Sequence, residues 1–176
     1  AEPMLQGFAN LLRAQLLSRL GKPSEAEAAF ELAAKASPAP PDAERLETLV
    51  GIKIRRTEFD DARKAIDASK VGESLKGLLA VRVGLAQARS TVAGPERSSV
   101  EADLFQRVKP LRGSSDPEAK LALIALAKGL VTPGSELGPD AWEALAEGAT
   151  ALGDLSRAAA LESKAADRAD SLDDKA

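Results

Sequence analysis

The stretch "GKPSEAEAAFELAAKASP", residues 21–38, places Gly21, Ala26, Phe30, Ala33 and Pro38 in the order Gly-x4-Ala-x3-Phe-x2-Ala-x4-Pro. Alanine has the highest helix propensity and lets a neighbouring helix lie close. A larger residue at such a crossing overpacks it, at a cost of about 1–3 kcal/mol. The pattern therefore predicts a helix whose alanines mark the closest contacts with other helices.

The same frame returns twice. From Thr57, Ala62, Ile66 and Ser69 stand at the matching offsets, and Phe59 staples the turn. From Gly153, Ala158 and Ala165 are in place, while Glu162 stands where a large apolar residue is expected. The preceding helices match as well: Leu46, Leu49 and Val50 before Thr57 occupy the offsets of Trp142, Leu145 and Ala146 before Gly153. The first copy has Asn10, Arg13 and Ala14 there, so it matches only at the small residue.

Helical periodicity runs the length of the chain. It predicts helices near residues 4–20, 24–36, 42–56, 59–69, 73–91, 99–112, 117–131, 140–152 and 155–170. Ser24 with Glu27, Ser98 with Glu101, Ser115 with Glu118 and Asp140 with Glu143 have capping-box spacing at the starts. Breaks such as "SPAPPD", "AGPE", "RGSSDP" and "TPGSELGP" are too short to be interdomain linkers, and they force successive helices to run antiparallel.

This repeated frame resembles the tetratricopeptide repeat (TPR), a helix-turn-helix unit of about 34 residues. The resemblance covers residues 7–40, 43–74 and 139–172, and implies an all-α, right-handed α-solenoid of antiparallel helix pairs in one domain spanning 1–176. The region 75–138 is less regular. There Val100, Leu104, Val108 and Leu111 share one face, Leu123, Leu126 and Leu130 another, and three helices do not make whole pairs.

Composition narrows the function. Of 176 residues, 44% are hydrophobic, 29% charged and only 3% aromatic, so Ala and Leu must supply most of the core. A net charge of −3, with no basic stripe, argues against nucleic-acid binding. Lys120 and Lys128 bracket "LALIALA" and Arg82 interrupts "LLAVRVGLA", so no run reaches the roughly 18 apolar residues that span a bilayer. The opening "AEPMLQGF" has no basic and apolar signal segment; Ala1 is compatible with a mature end left by cleavage, and the compartment stays open between cytoplasm and periplasm or exterior. Abundant Ala, Leu, Gly and Arg, with Asn10 the only asparagine, suggest a GC-rich bacterial genome.

With no His and no Cys, disulfides are excluded, and so are nucleophile-base pairs and zinc sites apart from Lys or carboxylate variants. "GKPS" at 21–24 is not a phosphate-binding loop, because Leu16 replaces its first glycine and no strand precedes it. The pairs Glu44 with Glu47 and Glu143 with Glu147 read as solvated helix faces, and the tail "DRADSLDDKA" as a frayed polar end. No cofactor and no metal is expected.

Binding is therefore the expected task, without catalysis. The resemblance implies a groove lined by the first helices of each pair, here Leu11, Gln15, Arg19, Glu44, Glu47, Gly51, Arg55, Glu143, Glu147 and Thr150. Its acidic character suits a neutral or basic partner segment. The carboxylate clamp of one TPR subgroup is absent, since the matching places are acidic or apolar. A second surface lies on the first helix, "MLQGFANLLRAQLLSRL", which is apolar nearly all round. Solenoid ends need polar caps. The last helix has one in Glu162, Asp167, Arg168 and Asp170, whereas Leu5, Phe8, Leu12 and Leu16 leave the first uncapped, facing upstream repeats or a partner subunit. The alternatives are a regulatory or targeting fragment of a larger enzyme, and a small all-helical ligand-binding bundle.

Overall fold

Every element in the computed structural model is helical, with no strand among the described residues, which are 2–130 and 138–173. The helices are α1 (Glu2–Arg19), α2 (Pro23–Ala34), α3 (Asp42–Arg55), α4 (Phe59–Ala68), α5 (Glu73–Ser90), α6 (Pro95–Val108), α7 (Pro117–Gly129), α8 (Pro139–Ala151) and α9 (Leu155–Asp173). A short 3-10 turn, Lys109–Leu111, follows α6. Most of the expected break at 132–139 and the end of the helix expected to reach 131 lie outside the described residues. So do the side chains of Met4 in the apolar first helix and Asp170 in the polar last one.

The chain divides into two compact units, Ala1–Gly72 and Glu73–Ala176. In the first, α1 packs on α2 and α3, α2 on α3, and α3 on α4. In the second, α5 packs on α6 and α7, α6 and α7 each pack on α8, and α8 packs on α9. α7, one of the three helices that do not make whole pairs in the repeat pattern, thus lies against both α5 and α8.

Three turns are built alike. Gly21, Thr57 and Gly153 all adopt the left-handed conformation, with φ of 74°, 60° and 80°. The next residues, Lys22, Glu58 and Asp154, donate their N–H five residues back to the carbonyls of Leu17, Lys53 and Ala149, at 2.9, 2.9 and 3.0 Å. This is the Schellman closure of a helix C-terminus, which needs a positive φ. Four residues further on, Ala26, Ala62 and Ala158 donate back to Lys22, Glu58 and Asp154, so each turn ends one helix and registers the next.

The alanines of the frame lie where the close contacts are. Ala26, Ala33, Ala62, Ala158 and Ala165 are buried, as is Ile66, and Phe30 is half-buried. In the first unit Ala14, Ala26, Ala29 and Ile52 form one cluster from three helices, with Leu17 and Phe30 packed against it. Glycine shares this role in the second unit. Gly77 lies under Leu111, Gly84 under Leu104 and Gly129 under Leu85. At Gly148 of α8 a Cβ would fall on the backbone carbonyl of Leu123 and 2.9 Å from the Cβ of Ala127, so α7 and α8 touch almost backbone to backbone. Val100, Leu104, Val108 and Leu111, and Leu123, Leu126 and Leu130, are all buried.

The helix starts depart from the capping-box expectation. Pro23, Pro95, Pro117 and Pro139 are each the first helical residue, because proline's fixed φ suits that place and its missing N–H costs nothing there. The cap is then whatever precedes the proline: Lys22, Gly94, Asp116 or Gly138. Of these four only Asp116 caps with its side chain, accepting the N–H of Glu118 at 2.8 Å. Ser24, Ser98, Ser115 and Asp140 are not caps, and α6 begins a turn earlier than expected. The tail expected to fray is helical through Asp173.

Thr57 is β-branched and sits where its two counterparts are glycine. Thr57→Gly is expected to raise stability by about 1 kcal/mol in urea denaturation, less what is lost with the 2.6 Å bond from its hydroxyl to the Arg56 carbonyl. Gly148→Ala is expected to lower it by about 1–3 kcal/mol in the same assay, because neither neighbour is a flexible side-chain end.

Candidate functional site

α1 carries two apolar faces of different character. One, made of Gly7, Leu11, Ala14 and Ser18, is buried. A Cβ at Gly7 would come within 2.9 Å of the Ala36 Cβ, which shows how close the chain following α2 lies. The other face is made of Leu5, Phe8, Leu12, Leu16 and Leu20, which are 66%, 37%, 58%, 59% and 73% exposed. At about 100° per residue these five span roughly 120° of the helix, centred opposite the buried face. The four apolar residues expected at an uncapped end thus stand in solvent. Leu20 belongs with them although sequence reasoning left it out of the site; its signal was the four-residue spacing from Phe8 through Leu12 and Leu16.

The expected groove residues divide between the two units. In the first, Gln15 is half-buried and its amide donates to the Thr48 hydroxyl at 3.0 Å, tying α1 to α3; that hydroxyl donates in turn to the Glu44 carbonyl at 2.7 Å. Arg19, Glu44, Glu47 and Arg55 are exposed. In the second unit Glu143 and Glu147 lie on one face of α8 with Asp140. Arg112 reaches Glu143 at 2.5 Å, Asp140 at 3.8 Å and Glu147 at 3.9 Å. Lys109 reaches Asp140 at 2.5 Å, and the Gly113 N–H donates to Glu147 at 2.8 Å. These carboxylates hold the segment that follows α6 against α8.

A second charge network was not foreseen from the sequence. Glu27 on α2 and Glu58 at the start of α4 both pair with Lys53 and Arg56 at the end of α3: Lys53 to Glu58 at 2.7 Å and to Glu27 at 3.6 Å, and Arg56 to Glu58 at 2.6 Å and also to Glu27. The hydrogen bond to Glu58 raises the Lys53 pKa above its usual value, and the same bond holds the Glu58 carboxyl below its own. Asp140 is likewise held low, chiefly by the hydrogen bond from Lys109. Pairing oppositely charged groups across 29 or 31 residues is a tertiary matter, with no local spacing to reveal it.

Among the clefts of the described residues, two are lined by both apolar and charged side chains. One of ≈ 320 Å³ lies within the first unit between Phe30, Leu46 and Leu49, with Asp42, Arg45, Ser69 and Lys70 at its polar side. The Arg45 Nε there is buried and has no hydrogen-bond partner among the described residues. The other, of ≈ 280 Å³, lies within the second unit beside Phe105, Lys109 and Asp140. Among the described residues no cluster of three or more potential metal ligands occurs, and no helix is long and apolar enough to cross a membrane. Comparison with known proteins finds no matching family model, curated protein or solved structure.

The Lys53 and Glu58 pair sets a pH dependence. Glu58 is lowered on folding, so its contribution is present above its ordinary value of 4.5 and is lost as pH falls through the lower folded value. Lys53 is raised, so its contribution holds up to 10.5 and is lost as pH rises through the folded value above that. Glu58→Gln is therefore expected to lower the urea midpoint at neutral pH by a constant small amount. That difference should vanish below the folded value of Glu58, as read by circular dichroism across an acid series.

Proposed function

We propose that the chain is a non-catalytic protein-interaction module, a scaffold or assembly subunit, which docks a partner on the exposed face of α1. The observation that carries this is the five-residue apolar stripe opposite the helix's own buried face. A surface helix needs only one apolar stripe, and contiguous exposed patches of this kind mark interaction sites in soluble proteins. The three equivalent turns and their alanines favour stacked helix pairs of the TPR type. On that reading Gln15, Arg19, Glu44, Glu47 and Arg55 line a groove within the first unit for an extended segment, and Glu143 and Glu147 belong to one within the second. The internal ion pairs of Glu143 and Glu147 make them the less available of these residues.

One observation favours a second reading, the binding of a small ligand. The cleft beside Phe30 has an apolar floor with Asp42, Arg45, Ser69 and Lys70 at its polar side, and its volume is near the lower end for ligand pockets. It is open and modest beside the exposed apolar stripe.

The test is capture from lysate with the native chain and with a Leu5→Asp, Leu12→Asp, Leu16→Asp variant. These side chains stand outside the packed core, so the variant is expected to keep its helicity and its unfolding free energy in urea within about 0.5 kcal/mol of native. A protein retained by the native chain should be lost from the variant. Equal capture by both would move the docking site away from α1.

A further inference from the structure

We draw no further inference here: the strongest candidate, the cleft of the first unit between α2, α3 and the end of α4, belongs to the ligand-binding reading already described, and with Arg45 ion-paired to Asp42 nothing in the structure shows what would occupy it.

Discussion

Close approach of helix backbones through alanine and glycine is the constraint on which the remaining structure depends. Only 3% of the residues are aromatic, so large rings are too few to fill wide gaps between most helices, and most crossings must be tight enough for small side chains to meet. Ala14, Ala26 and Ala29 meet Ile52 in the first unit, and Gly148 meets the Leu123 carbonyl in the second. Tight crossings in turn require accurate turns. The same closure at Gly21, Thr57 and Gly153 delivers it, by fixing where one helix stops and how the next one begins.

That part of the molecule was legible in the sequence because it is local and repeated. The offsets from Gly21 to Ala26 and from Gly153 to Ala158 are short, and their recurrence after Thr57 distinguishes them from chance. Helix existence followed from periodicity, with ends displaced by a few residues. The starts were misread because serine and aspartate near Pro23, Pro95, Pro117 and Pro139 were given the capping role, whereas proline takes the first helical position and makes its predecessor the cap. The division into two units was not legible, since no linker composition marks Gly72.

The candidate site was legible to the extent that it is one helix. Leu5, Phe8, Leu12 and Leu16 could be read as surplus apolar surface because α1 has more such residues than one face can bury. The ion-pair networks around Lys53 and Arg112 could not, because they join residues about 30 positions apart, and their partners look like ordinary solvated charges in the sequence. Glu143 and Glu147 show the difference. Read alone they are a polar stripe on a helix; in the fold they anchor the turn after α6 through Arg112 and the Gly113 N–H.

Trp142 is the chain's only tryptophan, and there is no tyrosine. It lies buried on α8 in the second unit, with the Lys164 ammonium of α9 5.1 Å from its ring centre. The molecule is therefore optically lopsided. Its tryptophan emission originates entirely within Glu73–Ala176 and reports on the α8 and α9 contact, while events confined to α1–α4 take place in a region without any indole or phenol. A melt followed by emission and one followed by far-ultraviolet ellipticity thus observe different parts of the same chain.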